Sequence, residues 1–579
     1  MTSLPDRRSY TFGPYLLDVD QRQLLKDGQK VAIRPKIFDT LRALVENSDR
    51  LLHKEELMAI VWPDTAVDES NLMHHLSVLR KVLGQNKETQ YVVTVPGRGY
   101  RFTAPVEATL EGSIAVRPFT NMTPDPEQDF FCDGVAEEII DALAAVEGLR
   151  VVGRTSSFDR RLRDVGASGV GERLGVSSIL EGSVRQAGER LRISAQLIRT
   201  SDGTQLWSEH YDRELGDVFD IQQDIAEALV GRVRTKLLDP HAGPFVPRYT
   251  DNQEVYRLYL EARYCVNQQT ISRLQQAIGF LEQAIELEPG FARGHALLSV
   301  CYVNLAVYGY LPVAGTVEKA EAAVQRALEL NDASVLAYRA QGLLSAAFRW
   351  DWAASQRAFL RALDIDPGNS TVHYSYGNHL LAPVGRVEEA EREIRAAVEL
   401  DPLAPVFSQG LCQILYYTRR YGEAVEQARH TLALEGDYPI VRSLLAACYS
   451  ALGRTEEAVL ERQAHLRNTG RAAEADAIGR AYAKNGEPGV LRWMVDWQLR
   501  RSSNGEDRSA ALAVLYAWLD DREAALNCLE SALEKKFGAV LWTKVHPAFD
   551  CLRDEPRFRE LVDRMGVNDP RVATPQAVA

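Results

Sequence analysis

The first hundred residues alternate between short strand-like runs and helix-like runs. Apolar and polar positions partly alternate in Tyr10–Phe12, Tyr15–Val19 and Lys30–Ile33, which predicts three short strands. After Arg34-Pro35 the apolar residues recur at helical spacing, and Lys54–Val61 repeats that pattern. The pattern therefore predicts a small sheet followed by at least two helices.

A third helix is predicted between Asp68 and Leu83, and its two faces differ in character. Four leucines, at positions 72, 76, 79 and 83, lie in one narrow stripe, which we interpret as the buried side. The opposite face carries Ser70, His74, Ser77 and Lys81, with Met73 and Val78 at its flanks. Gly84 ends the helix, and a hairpin is predicted over 91–103 with its turn at Pro96–Gly99.

Residues 113–238 mix strand and helix patterns. Strands are predicted at 114–119, 149–152 and 205–211, and a hairpin at 178–198 turns around Ala187–Glu189. Helices are predicted at 130–146 and 219–237. This segment is expected to be an α/β domain, and 106–113 is expected to be the linker that precedes it.

Beyond a Pro- and Gly-rich linker at 239–247, small residues recur with a period near 34. They are Ala284, Ala327, Ala362, Ala397 and Thr431, each followed by a turn residue. Such a period indicates stacked helix pairs that share one continuous core. We expect seven or eight units over 250–536, an insertion in the unit near Ala296, and a terminal cap helix over 546–565. The expected architecture is thus multidomain α+β, with domains at 1–105, 113–238 and 250–566.

Charge is distributed unevenly over the 579 residues. The whole chain has a net charge of −13, but residues 1–105 carry 15 basic and 13 acidic side chains. A polyanion binds nucleic acid poorly, so any such binding must be local to the N-terminal part.

The N-terminal segment resembles the OmpR/PhoB-type winged helix of bacterial transcription regulators. The resemblance rests on Arg34–Asp39, Leu57–Trp62, Leu79–Gly84 and Thr94–Phe102. It implies that the third helix enters the major groove and that the wing arginine reaches the minor groove. The predicted DNA-binding residues are Ser70, Met73, His74, His75, Ser77, Val78, Arg80, Lys81, Arg98 and Arg101.

Within that set the resemblance implies different roles. Ser70 and His74 would face bases, His75 and Arg80 would contact phosphates, and Arg98 would lie at the wing tip. Val78 stands where the family commonly has a basic residue. It either touches a thymine methyl or marks a lost contact.

The two following segments also resemble known modules. Residues 113–238 are similar to the TolB-like N-terminal α/β domain through Ile114–Phe119, Asp133–Ile139, Leu180–Arg185 and Leu206–Asp212. The C-terminal half resembles the tetratricopeptide repeat, as in Ala390–Pro402 and Ala525–Ala532. Such arrays imply either a bound peptide or protein, or self-association. Aromatic residues Tyr302, Tyr308, Tyr310, Tyr416 and Tyr417 would line a groove or pack between repeats.

No motif for catalysis, cofactor or metal is found in the sequence. It lacks a GxxxxGK[ST] loop, a GxSxG elbow and any CxxC pair, and its seven cysteines are scattered. Glu137 and Glu138 are adjacent on a helix, so their side chains should diverge. The uncharged stretch 296–317 is either a buried repeat helix or a membrane span.

These features favour a cytoplasmic, nucleoid-associated transcription regulator that uses no cofactor and is not an enzyme. Its expected partners are double-stranded DNA, RNA polymerase, a protein or peptide held by the repeats, and a second copy in a homodimer. One alternative is a tetratricopeptide interaction scaffold with a vestigial winged helix, and another is an enzyme hidden in the middle domain. Salt-titrated DNA binding would separate regulator from scaffold.

Overall fold

The computed structural model covers the chain in three successive parts. The described residues are 8–19, 22–26, 29–48, 50–62, 69–85, 90–95, 98–104, 106–110, 113–123, 129–144, 146, 149–187, 190–214, 227–228, 230–231, 233, 250, 252–268, 270–307, 313–436, 438–502, 507–535 and 540–573. The linker predicted at 239–247 and the aromatic residues Tyr308 and Tyr310 lie outside these ranges, as do Asp68, Pro96 and Gly97.

The N-terminal part, which we term the head, consists of a sheet, three helices and a hairpin. Its elements are β1 (Arg8–Phe12), β2 (Tyr15–Asp18), β3 (Gln23–Lys26), β4 (Gln29–Val31), α1 (Pro35–Glu46), α2 (Lys54–Val61), α3 (Glu69–Val82), β5 (Val92–Val95), β6 (Gly99–Phe102) and β7 (Glu107–Leu110). The antiparallel sheet has the order β4-β3-β2-β1-β7, and β5 pairs with β6 alone. The sequence pattern predicts β1, β2 and β4 but misses β3, whose residues QLLK do not alternate clearly.

The three head helices share one apolar core with the sheet and the hairpin. Phe38, Leu41 and Leu57 are fully buried, as are the α3 leucines of the predicted stripe. Phe12 meets Phe102 edge to face at 5.1 Å between ring centroids, which joins the first strand to the hairpin. The hairpin therefore stands on the same core as α3.

The connection between head and central domain is shorter than the sequence suggests. The expectation of a linker over 106–113 is wrong, because residues 107–110 form β7 and pair antiparallel with β1. The next strand, β8 (Ser113–Val116), already belongs to the central sheet. Only two residues separate the two sheets along the chain.

The central domain is an α/β unit built on a mixed sheet. Its elements are β8, β9 (Thr120–Asn121), α4 (Asp129–Ala144), β10 (Arg150–Val151), α5 (Arg154–Ser157), α6 (Ala167–Leu174), β11 (Ser178–Ala187), β12 (Arg190–Arg199) and β13 (Gln205–Glu214). The order is β10-β8-β11-β12-β13, with β9 beside β11. The predicted hairpin is confirmed, since Ala187 pairs with Arg190 at its end. Helix α4 packs Val135, Ile139 and Leu143 on one sheet face.

The described residues of the C-terminal part form eight helix pairs. Its helices are α7 (Gln253–Asn267), α8 (Ile271–Leu287), α9 (Ala292–Val307), α10 (Val313–Leu330), α11 (Val335–Leu344), α12 (Trp352–Ile365), α13 (Ser370–Tyr376), α14 (Val387–Leu400), α15 (Pro405–Tyr417), α16 (Tyr421–Glu435), α17 (Pro439–Ala451), α18 (Thr455–Asn468), α19 (Ala472–Ser502), α20 (Ser509–Trp518) and α21 (Arg522–Glu534). Non-helical backbone at Asn485 and Gly486 divides α19 into the two helices of one pair. Helices α11 and α13 each continue into a π-helical turn.

The small residues that recur with a regular period in the sequence are buried in this array. Ala284, Ala327, Ala362, Ala397 and Thr431 all have no exposed surface. A larger side chain would not fit between neighbouring helices at these points. Helix α9, in the uncharged stretch, lies within the array core. Among the residues that the structure describes, no helix is both long enough and apolar enough to cross a bilayer.

Residues 540–573 lie across the middle of the array. The single cap helix expected over 546–565 is wrong, because a 3₁₀ helix at Pro547–Leu552 and α22 (Pro556–Arg564) replace it, followed by α23 (Pro570–Ala573). Pro556 is at the start of α22, where its fixed φ suits a helix start but not a helix interior.

This C-terminal segment, residues 540–573, contacts the turns inside the repeats. The Trp352 indole donates to the Met565 carbonyl oxygen at 2.6 Å, and the Trp542 indole donates to that of Asn378 at 2.9 Å. The His546 ring packs against Tyr416 and Tyr417. These two tyrosines therefore face the chain's own C-terminal segment.

The central domain contacts the array on helix α7 and, farther along, at turns between repeats. Glu137 and Glu138 of α4 are buried and pair with Arg263 at 2.9 and 2.8 Å. Farther along, the Ser156 amide donates to the Asp401 carboxylate at 2.7 Å. The acidic pair is thus part of a domain interface.

Candidate nucleic-acid interface

Helix α3 separates a buried leucine face from an exposed polar face. Leu72, Leu76, Leu79 and Leu83 are at most 2% exposed, whereas Ser70, His74, Ser77 and Lys81 are exposed. Met73 is 58% exposed although it is apolar. The helix therefore presents hydroxyl, imidazole, thioether and ammonium groups on one exposed face, and a major groove is wide enough to admit an α-helix.

His75 has surroundings that differ from those of its neighbour. Its ring lies 5.0 Å from the Trp62 ring, and its Nδ1 is 3.3 Å from the Thr40 hydroxyl. Burial lowers the pKa of His75, and the nearby His74 and Lys36 lower it further. The side chain is half-buried against α1 and α2, so only part of it is available to a phosphate.

Arg80 joins the end of α3 to the first strand of the wing. Its Nε donates to the Val92 carbonyl oxygen at 3.1 Å, and its Nη2 donates to the Thr94 hydroxyl at 2.7 Å. Gln85 adds to this junction, because its Oε1 accepts from the Tyr91 and Val92 amides. Sequence reasoning missed the roles of Gln85 and Thr94, and no spacing in the sequence marks them.

The wing places its cations at the tip and along the outer strand. Arg98 is exposed, and its amide donates to the Val95 carbonyl oxygen at 3.0 Å, which closes the turn. Arg101 is exposed on β6 opposite Val93. Gly99 has a φ of +142°, and a Cβ there would lie 2.0 Å from the Leu52 carbonyl oxygen. Glycine is required at this point because the wing backbone passes so close to residue 52.

The predicted residues thus divide into three groups. Ser70, Met73, His74, Ser77 and Lys81 share the outer face of α3, and Arg98 and Arg101 are exposed on the wing. His75, Val78 and Arg80 are half-buried, and Val78 packs against the head core. The arrangement offers donors for base edges and cations for phosphates from two adjoining elements. The described ranges contain no group of three or more His, Cys, Asp or Glu side chains placed to hold a metal ion.

Comparison with known proteins gives matches to the head and to longer stretches. Residues 28–102 match the family described as "Transcriptional regulatory protein, C terminal". The transcriptional regulator HilA of Salmonella typhi is 25% identical over 465 residues, which cover 78% of this chain and 81% of that protein. The solved DNA-binding domain of Escherichia coli CadC is 28% identical, covers 18% of this chain and all of that chain, and superposes with a TM-score of 0.17.

A further relative carries a different description. A protein of Rhizobium meliloti (strain 1021) described as putative adenylate cyclase 3 is 39% identical over 196 residues. The match covers 34% of this chain, and the chain spans only 33% of that relative's length.

Proposed function

We propose that this chain, a DNA-binding transcriptional regulator with an OmpR/PhoB-type winged-helix domain and a helical repeat module, binds specific duplex sites through α3 and the wing. The observation that carries the proposal is the exposed α3 face beside an exposed wing tip, while the leucine stripe of the same helix is buried. An OmpR-type head with this face occluded would have no route to the groove.

Roles follow from exposure and chemistry. Ser70, His74 and Ser77 would hydrogen-bond to base edges, and Met73 would contact a thymine methyl. Lys81, Arg98 and Arg101 would neutralise phosphates, with Arg98 reaching into the minor groove.

The half-buried members have supporting roles. Arg80 fixes the wing relative to α3 and offers the rest of its guanidinium to a phosphate. His75 would offer one edge of its ring to a phosphate. Val78 is half-buried in the head core, which favours a lost basic contact over a new base contact.

The rest of the chain serves sensing or protein interaction. We propose that the protein acts in the cytoplasm at the nucleoid, and that its partners beyond DNA are RNA polymerase and a protein or a second copy bound through the repeats. The acidic body supports this division, because it would be repelled by DNA and would leave contact to the head.

We also propose that the chain is not an enzyme. The match to a putative cyclase spans only a third of that relative's length. We find no motif for nucleotide chemistry in the sequence of this chain. Incubation of the full chain with Mg-ATP should yield no cyclic AMP above a heat-denatured control. Steady formation of cyclic AMP would overturn this part of the proposal.

Selection of bound sequences from a random duplex pool tests the main proposal. The full chain should enrich one motif, and His74→Ala should relax preference at one or two of its positions by about 1–3 kcal/mol. Arg361→Ala, which removes an exposed array arginine paired with Asp364, is the matched control and should leave the motif unchanged. Enrichment of no motif would favour an interaction scaffold with a vestigial head.

A further inference from the structure

The C-terminal segment contacts repeats that are far apart along the array. In a repeat array each helix pair typically contacts only the pairs beside it. With α7 and α8 as the first pair, the segment contacts the third, fourth, fifth and eighth pairs. It therefore links the eighth pair to pairs that precede it by three to five positions.

Bonds to backbone oxygens hold the segment on the third and fourth pairs. The Trp352 side chain is 1% exposed, and its indole donates to the Met565 carbonyl oxygen at 2.6 Å. The Lys544 ammonium donates to the Val384 carbonyl oxygen at 2.7 Å. A Cβ at Gly385, whose φ is +90°, would lie 3.1 Å from the Lys544 side chain. The segment is thus held closely against the turns of both pairs.

Arg419 holds the segment on the fifth pair from a backbone conformation that favours glycine. Its φ is +60°, and Gly385 and Gly453 occupy the same turn position in the fourth and sixth pairs. The Arg419 Nε and Nη2 both donate to the Asp550 carboxylate, and Nη1 donates to the Val545 carbonyl oxygen at 3.3 Å. A costly backbone conformation persists where surrounding contacts hold it, and here the segment supplies such contacts.

Ion pairs hold the segment on the eighth pair. Arg522 of α21 lies 3.0 Å from Glu555 of the segment. Arg557 of the segment pairs with Glu523 at 3.1 Å and also with Glu530. All of these side chains are at least one-third exposed, so each pair contributes little by itself. This side of the segment is therefore easier to detach than the buried bond of Trp352.

We propose that the C-terminal segment is a clasp that fixes the curvature of the array and opens at the eighth pair. The curvature of a repeat array shapes the concave surface that it presents to partners, so a bridge over several pairs also fixes that surface. The ion pairs are the side that opens because they are exposed. An open array would admit a protein partner, and this last step alone rests on the proposed function.

Small-angle X-ray scattering of the full chain, without DNA or a partner, tests the clasp. The double variant Arg522→Ala/Arg557→Ala should have a larger radius of gyration than wild type, because the eighth pair loses its ion pairs with the segment. Arg454→Ala is the matched control, since it removes an arginine that pairs with Glu457 inside the sixth pair, and it should leave the radius unchanged. An unchanged radius in the double variant would overturn the proposal.

Hydrogen-exchange mass spectrometry of Arg419→Gly tests the contact with the fifth pair. Glycine suits the left-handed turn better, yet loss of the guanidinium should speed exchange in residues 547–552 at least about threefold. Arg420→Ala, in the same turn but paired with Glu391 and Glu423, should leave that exchange unchanged. Slower or unchanged exchange in Arg419→Gly would overturn the proposal. Both measurements are made without a partner, so the absence of a partner cannot be mistaken for the absence of a clasp.

Discussion

His74 and His75 are neighbours in the sequence but have different surroundings. His74 lies on the exposed face of α3, whereas His75 packs on Trp62 and reaches the Thr40 hydroxyl. A helix turns by 100° per residue, so adjacent side chains commonly differ in this way. The contrast separates the residue that we propose reads DNA, His74, from His75, which also packs in the head.

Substitution of His75 should therefore mainly lower stability, whereas substitution of His74 should mainly weaken DNA binding. His75→Ala removes a packed ring and should lower the free energy of unfolding of the head by about 1–2 kcal/mol. His74→Ala should leave stability within about 0.5 kcal/mol and weaken DNA binding. Chemical denaturation followed by head tryptophan fluorescence, together with DNA titration, measures both. Equal destabilisation by the two variants would contradict the assigned environments.

For single residues, the sequence predicts burial most accurately where a periodic pattern decides which side chains are buried. The four leucines of α3 and the small residues of the repeats are buried as expected. It could not foresee that Arg80 and Gln85 fasten the wing, since those bonds join α3 to a strand whose position depends on the whole head. Likewise, nothing in the sequence indicates that Glu137 and Glu138 pair with Arg263, which lies 125 residues away from Glu138.

At the scale of elements, the wing is held on α3 by polar bonds as well as by the core. Both Arg80 and Gln85 donate to the Val92 carbonyl oxygen, and Gln85 also accepts from the amides of Tyr91 and Val92. The two strands of the hairpin have only four residues each. These bonds therefore contribute much to holding the hairpin in place on α3. The position of Arg98 relative to α3 depends on this junction.

Gln85→Ala should loosen the wing without unfolding α3. Two amides and a carbonyl lose their side-chain partner, which should speed hydrogen exchange at Tyr91 and Val92 at least about tenfold. DNA affinity should fall by a smaller factor. Hydrogen-exchange mass spectrometry of the full chain reports both elements. Unchanged exchange in the wing, or faster exchange throughout α3, would contradict this account.

At the scale of the whole molecule, the central domain and the array are joined by buried polar contacts. Asp401 is 3% exposed and accepts a hydrogen bond from the Ser156 amide, and burial raises its pKa to about 6. Gly153 lies so close that a Cβ there would be 2.4 Å from the Asp401 carboxylate. The head, by contrast, is joined to the central domain by only two residues, and the outer face of its helix α3 is exposed.

The raised pKa of Asp401 makes the stability of this interface depend on pH. The folded state holds the proton more tightly than the unfolded state, so its contribution is present below pH 4 and is lost as pH rises through about 6. Asp401→Asn keeps an acceptor for the Ser156 amide and removes the buried charge. Thermal unfolding from pH 4 to 7 should therefore show a weaker decline in the variant than in wild type. Parallel curves would contradict the prediction.

The central claim is that the head binds DNA and the acidic body does not. Salt-titrated binding of the full chain to its selected duplex tests this claim most directly. Log affinity should fall linearly with log salt concentration, and Arg98→Ala should reduce the slope by about 0.9, as expected for the loss of one phosphate contact. Arg361→Ala in the array should leave the slope unchanged. A flat salt response in wild type, or an equal change of slope in both variants, would contradict the account.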